Sequence, residues 1–486
     1  MRLRLIPQLE RWARLVAFCQ TLAGKLTLLG ALAALLWPLR HVAWMSPGVF
    51  YWLDSWLVVA AVAATTALPR RRRLVVAVTG AFLLLTRLPT GWPAIGVMSR
   101  ILRIPLPGTF RVISLLEAIL ACGAYALVAT RWADTRLLRR PLALFVALFL
   151  GAACVAAYAP ILPALSLWLW GFLFALAPFI WFLAYTLAER RHKARAPLLQ
   201  QLGEYTPFWG STNTPFPKSG GYLAKIEVRS AEELAVWQLK GLKLLVWTIC
   251  LTVLRAVFAR VVYGSGPLAS VAGGVGSLGV PTLHAAIAGG ATVAWHLRWA
   301  AAIANLLDET FSIAILGHLF IGICRMSGFK ALRNTYRPLE AVTVAEFFNR
   351  FYFYFKELLV DCFFYPTYLR HFKKHPRLRT FVATFAAAGV GNVLYHYLRD
   401  MEYVALYGPY KAMVTFQTYV IYSVVLGLAV GGSQLLGRRK QTSWWRARLS
   451  NLFVLLFFAV LLVFNDPKRT VGAGVYARYA LSLFIP

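Results

Sequence analysis

The sequence predicts an all-α, polytopic integral membrane protein with about 11–14 membrane helices, some of them re-entrant. Three observations lead there. Apolar runs of bilayer length recur from one end of the chain to the other. The 486 residues are 59% hydrophobic with a mean hydropathy of +0.63, and charged residues are only 14%. The 51 Lys and Arg, set against 18 Asp and Glu for a net charge of +33, gather mainly between the apolar runs. A soluble nucleic-acid binder carries basic surface without bilayer-length apolar runs, so that class is excluded and no nucleic-acid partner is expected. An aromatic content of 14% excludes a chain too polar to bury surface.

A spanning helix needs roughly 20 mostly apolar residues. Residues 1–187 form an N-terminal block of such helices, with runs near 22–38, 49–68, 74–88, 110–130, 141–159 and 161–187. The first run follows Arg2, Arg4, Arg11 and Arg14 and has no small-residue cleavage site, so it reads as a retained helix. Residues 188–240 are a polar intervening loop with amphipathic segments, in which EYTPFWGSTNTPFPKSGGYLAKIEV is punctuated too often by Gly, Pro, Ser and Thr for a continuous helix. Residues 241–436 form a third region, with runs at 241–260, 282–306, 308–326, 347–368, 378–398 and 409–436. Its small-residue stretch 261–281 lacks the strand-then-helix context of a phosphate loop and is expected to fold back over a membrane surface. Residues 437–486 close the chain with runs at 447–464 and 474–485.

Orientation follows the distribution of Lys and Arg. Counting spans from a cytoplasmic N-terminus, the basic clusters Arg70 to Arg73, Arg131 to Arg140 and Arg190 to Arg195 fall on alternate loops, while the loop at 158–162 is uncharged. Arg100 and Arg103 fit this scheme imperfectly. The segments RHFKKHPRLR (370–379) and RRKQTSWWRAR (438–448) read as cytoplasmic. Most of the positive charge is therefore topology signal and contact with anionic lipid. The six cysteines stand singly in apolar surroundings and read as packing residues, with no disulfide framework or zinc spacing. The absence of an N-x-Ser/Thr sequon and the Ala, Leu and Arg usage point to a bacterial cytoplasmic (inner) membrane.

Candidate chemistry is concentrated in one stretch. From Asp308 to Glu402 there are eight carboxylates within an apolar background rich in histidine and aromatic residues. An ionisable side chain inside a bilayer costs roughly 2.5–3.5 kcal/mol on insertion scales, so each is a functional candidate until a partner accounts for it. His318 lies in IAILGHLFIGIC and His396 in FVATFAAAGVGNVLYHYLRD. On one helix, Asn392, His396 and Asp400 would share a face at spacings of four. A neutral imidazole positioned by an amide or carboxylate can act as a general base, and the same histidine can instead tie helices together. A second functional class is a transporter or flippase in which His318, His396 and Asp400 relay protons or line a pathway. Such proteins usually show repeated halves, and this sequence shows none.

Residues 318–366 supply further context: Arg325, Gly328 and Phe329 after an apolar helix, Arg337-Pro338, FFNRFY at 347–352, Asp361 nine residues past Tyr352, and Pro366. In this order, with His396 some 45 positions beyond FFNRFY, the segment resembles the membrane-bound O-acyltransferase (MBOAT) family, in particular its bacterial branch containing alginate and teichoic-acid acyltransferases. The resemblance runs from 215 to His396 and makes 241–436 an MBOAT-like core. It departs from the branch at Tyr352, where a histidine is usual, and at His318, where an aspartate is usual; Asn349 is the nearest counterpart of the asparagine in eukaryotic members.

The resemblance implies a membrane pocket where an acyl group, acetyl or longer, passes from a cytoplasmic thioester to a hydroxyl of a polysaccharide, lipid or small-molecule acceptor. His396 would be the general base, with Tyr352 or Asn349 placing the carbonyl oxygen. Asn392, Asp400, His318, Arg337, Arg350 and Asp361 would line the substrate region, Arg350 and Asp361 also as ion-pairing residues. No bound cofactor or metal is expected; acyl-CoA or an acyl carrier protein would be co-substrate. Membrane lipids and accessory proteins of a cell-envelope or export pathway are the expected partners. A catalytically degenerate member retained as a scaffold is the remaining alternative, raised by Tyr352.

Overall fold

The computed structural model describes residues 7–39, 56–87, 141–176, 207–209, 216–264, 277–435, 443–465 and 472–485, with short pieces between 96 and 120 and around 181–185. Most of the expected run at 110–130, the basic clusters at 131–140 and 190–195, much of the 188–240 loop and most of the small-residue stretch 261–281 lie outside them. The described residues are helical, and their single extended pairing is an isolated antiparallel bridge between Glu227 and Phe329.

In chain order the helices are α1 (Ala13–Phe18), α2 (Leu22–Leu39), α3 (Leu57–Ala67), α4 (Arg72–Arg87), α5 (Pro141–Tyr158), α6 (Pro163–Leu176), α7 (Gly220–Ile226), α8 (Ala231–Tyr263), α9 (Leu283–Gly289), α10 (Trp295–Met326), α11 (Val344–Phe351), α12 (Phe353–Leu359), α13 (Tyr365–Arg370), α14 (Pro376–Phe385), α15 (Asn392–Arg399), α16 (Glu402–Thr415), α17 (Gln417–Leu435), α18 (Trp444–Leu461) and α19 (Ala473–Ser482). Among the described residues, six helical stretches are long and apolar enough to cross a membrane: α2, α8, α10, the continuous run Pro376–Arg399, α17, and Trp444–Asn465. The protein is thus an all-α chain with the helices of an integral membrane protein.

Four boundaries differ from the sequence expectation, one of them the run 409–436, which divides at Phe416 between α16, itself kinked at Gly408 (φ 78°, ψ 165°), and α17. Helix α8 starts ten residues early, inside the expected polar loop, because Ser230 and Glu233 form a capping box: Glu233 N–H donates to Ser230 Oγ (3.0 Å) and Arg229 N–H to Glu233 Oε2 (2.7 Å). The runs 282–306 and 308–326 are divided differently. Gly290, at φ 55°, ends the short α9, and α10 then runs unbroken through Asp308 and Glu309. Asp308 does not break it, because Arg255 of α8 grips both its carboxylate oxygens at 2.6 and 2.7 Å. The run 347–368 is not one helix. It breaks at Tyr352 (φ −144°, ψ 78°) into α11 and α12, and continues through a π-helical turn, Val360–Phe364, into α13.

The chain divides into two compact units. The first comprises residues 1–249, 316–333 and 401–406. Two networks of buried polar groups tie its helices together, as an apolar solvent favours. Gln238, 1% exposed, donates to Thr66 Oγ1 (3.1 Å) and the Met326 carbonyl (3.0 Å), and accepts from Lys25 Nζ (2.7 Å). Arg72 pairs with Glu227 at 3.4 Å and donates to the carbonyls of Thr65 and Val228.

The second unit comprises residues 250–315, 334–400 and 407–486. Helix α17 is its hub, packed against α11, α14, α15 and α18. Gly427 permits the closest approach, since a Cβ there would lie 3.0 Å from the backbone nitrogen of Gly389. The end of α19 is held by donors from α10: Trp295 and Trp299 Nε1 reach the Leu483 carbonyl at 2.8 and 2.6 Å, and Arg298 reaches that of Ser482 at 3.0 Å.

Candidate functional site

His396 lies in the second unit on α15, near the end of the membrane-length run Pro376–Arg399. That run is not uniformly α-helical. Residues Ala386–Gly391 form a π-helical segment, made locally acceptable by small side chains (AAAGVG) that let helices close around a widened turn. The extra residue of a π turn rotates everything after it relative to the preceding helix, and so sets which way Asn392 and His396 face. The second π turn, Val360–Phe364, packs against this one: a Cβ on Gly391 would lie 2.8 Å from the Phe363 ring. Asp361 belongs to that second turn and is half-buried.

Three aromatic side chains surround the half-buried imidazole. Tyr419 of α17 lies across it at 4.4 Å between ring centroids and 33° between planes, Tyr395 is edge-on at 5.3 Å, and Phe355 of α12 is edge-on at 6.1 Å. One helical turn before His396, Asn392 is 1% exposed and its Oδ1 has no hydrogen-bond partner. On the facing helix α17, the hydroxyls of Thr418 and Ser423 are likewise buried without partners. The antiparallel register set by His396 on Tyr419 and Gly389 on Gly427 puts Asn392 level with Ser423. Buried polar atoms left unbonded cost on the order of 1–3 kcal/mol each, and a concentration of them beside a histidine is what a site awaiting a hydroxyl-bearing ligand would show.

Asp400 does not complete the expected stripe. Helix α15 ends at Arg399, Asp400 turns off it (φ −101°, ψ 30°), and its carboxylate is held by the Arg399 guanidinium at 2.8 and 3.1 Å. Arg399 also donates to the Tyr419 hydroxyl at 3.4 Å, which ties the ion pair to the ring beside His396.

Tyr352 approaches His396 through Phe355, whose ring lies 5.5 Å from that of Tyr352. The break that places Tyr352 is held by two buried residues absent from the sequence reading. Asn334 accepts from Phe353 N–H through its carbonyl (2.8 Å) and from Tyr354 N–H through its side chain (3.2 Å), and Thr335 Oγ1 donates to the Phe351 carbonyl (2.9 Å). A short polar pair upstream of an Arg-Pro was their only sequence signal. Asn349 sits three residues before Tyr352 on α11 and is exposed. Arg350 pairs with Glu346 at 2.6 Å and donates to the Arg337 carbonyl at 3.2 Å, while Arg337, exposed and left-handed at φ 52°, pairs with Glu340 at 3.2 Å. These two arginines therefore brace the 334–354 segment in this structure.

His318 falls in the first unit, half-buried on α10. The nearby motif residues have structural tasks there. Arg325 donates through Nε and Nη2 to the Ala331 carbonyl (2.9 and 2.7 Å) and lies over the Trp237 ring, and Gly328, at φ 90°, makes the turn that seats Phe329 in the core.

Among the described residues no cluster of His, Cys, Asp and Glu could hold a metal ion. An apolar groove of about 340 Å³ in the second unit is lined by Trp299, Val425, Phe453, Phe457, Phe464 and Phe484 among others; it has no polar side chain with which to orient a reaction. No family model matches the chain, and no curated protein matches it.

Proposed function

We propose that this protein is a membrane-embedded O-acyltransferase of the MBOAT type, with His396 as its general base. One observation carries the reading above the others: a half-buried histidine on a membrane-length helix, placed by a π turn and flanked by the buried, unbonded amide oxygen of Asn392. The ordered series from Arg325 to His396 supports the same family. In the proposed step the acceptor hydroxyl attacks the thioester carbonyl while its proton passes to an imidazole nitrogen of His396. The C–S bond then breaks, the ester is released, and the thiolate recovers the proton from the imidazolium. Asn392 Oδ1 accepts the hydroxyl hydrogen during positioning, and Tyr352 donates to the carbonyl oxygen as negative charge develops there. The acyl donor, acyl-CoA or an acyl carrier protein, comes from the cytoplasm, and the host membrane is a bacterial inner membrane.

The test is acyl transfer by purified protein from a radiolabelled acetyl- or longer acyl-thioester to an added hydroxyl acceptor, with His396→Ala alongside at equal membrane abundance. A second reading, a proton-coupled transporter, draws on the charged groups Arg255, Asp308 and Arg399 inside membrane-length helices and on Asp400 just past the end of one. Substrate movement across proteoliposomes without acyl transfer would favour it.

A further inference from the structure

The first turn of α10 carries an arginine among apolar neighbours. Arg298 is only 9% exposed; its Nη1 donates to the Ser482 carbonyl at 3.0 Å, and its Nε is buried without a hydrogen-bond partner. No carboxylate pairs with it among the described residues. Charges within membrane helices are usually paired, so a guanidinium held only by a carbonyl calls for an anion from outside the chain.

Arg298 stands at one end of the apolar groove in the second unit. Trp299, the next residue, lines that groove, donates to the Leu483 carbonyl and packs edge-on against Phe484 at 5.7 Å; Ser482, which Arg298 reaches, lies two residues before Phe484. Residues Leu462–Asn465 pack against α19, which brings Phe464 to the same end, and Asn465 Oδ1 there is also buried without a partner. The groove then follows α18 back to Phe453 and reaches Val425 of α17, both in the middle of their helices, a length of roughly 16 Å at the helical rise. Phe453 and Phe484 are each 66% exposed, so the groove opens outward from the helices, where a membrane supplies lipid chains. Trp295, Arg298 and Trp299 mark its polar end as the membrane boundary, because tryptophan rings and arginine head groups gather at that level.

We propose that this is a binding site for one anionic phospholipid, whose phosphate meets Arg298 while one acyl chain lies along the groove towards Phe453. Charge selects the headgroup: a guanidinium pairs with a phosphate, and a zwitterionic lipid would bring a cation of its own beside Arg298. Shape selects the chain. A helix about 10 Å across would need roughly 1,250 Å³ over the same length, against about 340 Å³ in the groove, so a helix of a second copy does not enter it. The site stands apart from the acyltransferase reading and ties α10, α17, α18 and α19 together.

The experiment counts bound lipids. Full-length protein, delipidated in detergent, is titrated with phosphatidylglycerol or with phosphatidylcholine of identical chains and followed by native mass spectrometry, with glycerol phosphate as the headgroup-only competitor. Wild type is expected to hold one phosphatidylglycerol about fivefold or more tighter than phosphatidylcholine, with no competition from glycerol phosphate. Arg298→Gln should weaken that tightest adduct by about fivefold or more and leave phosphatidylcholine within about twofold, while Arg298→Lys keeps the charge and part of the preference. Leu456→Trp fills the groove, leaves Arg298 in place and should weaken both lipids; it carries the test if Arg298→Gln does not fold. Unchanged phosphatidylglycerol affinity in Arg298→Gln or in Leu456→Trp overturns the proposal. Displacement of the lipid by glycerol phosphate overturns it in favour of a free-phosphate site, and a dimer that Leu456→Trp abolishes, seen in place of a lipid adduct, overturns it in favour of a second copy.

Discussion

Tyr352 is proposed to act on the acyl carbonyl, and its chemistry is separable from its packing. Its phenol can donate a hydrogen bond that phenylalanine cannot, while the ring contact with Phe355 survives that change. Tyr352→Phe is therefore expected to lower kcat by about tenfold or more with little effect on KM, and Tyr352→His to retain part of the activity, in steady-state transfer assays. Equal rates for Tyr352→Phe and wild type would reduce Tyr352 to a packing residue. His396 was legible in the sequence because a titratable group inside an apolar run stands out in one dimension. Tyr419 and Asn334 were not, since each meets its partner some 20 residues away along a register that only folding fixes. Asp400 shows the limit of spacing arguments: four residues past His396 is the same face only while the helix lasts, and this one stops at Arg399.

Two elements of the second unit matter at this scale. The first is the paired π turns, Val360–Phe364 and Ala386–Gly391, whose contact fixes the rotation of α15. Facing them, Gly427 of α17 leaves no space for a side chain, so Gly427→Val is expected to cost about 1–3 kcal/mol by overpacking and to lower the thermal midpoint. The second is the clamp between α8 and α10. Arg255 and Asp308 have side chains only 17% and 27% exposed, so a double-mutant cycle with Arg255→Ala and Asp308→Ala should give a coupling energy of about 1 kcal/mol or more in chemical unfolding. Additive losses would show that the pair does not hold the helices together. The membrane-length helices were readable from hydropathy, because a bilayer demands length and apolarity together. The break at Tyr352 and the π turns were hidden: the first depends on hydrogen bonds from Asn334 and Thr335, the second on which small residues happen to face a neighbouring helix.

Within the whole chain, the strongly basic composition and the chemistry occupy different places. Lys373 and Lys374 lie exposed in the turn between α13 and α14, and Arg370 and Arg377 lie exposed at the helix ends that flank it, as expected of charges that set orientation or meet lipid headgroups. Arg255 and Asp308, inside membrane-length helices, are paired with each other and belong to the same unit as His396. The all-α membrane class follows from composition and periodicity. The division into two units does not, because both α8 and α10 pass from one unit into the other, and no composition shift marks those crossings. The proposed role of His396 as general base is decided by the rate of labelled acyl transfer by His396→Ala relative to wild type, at matched abundance and thermal midpoint. Removal of a general base should lower that rate by about a hundredfold or more; transfer by the variant within about threefold of wild type would show that His396 is not the base.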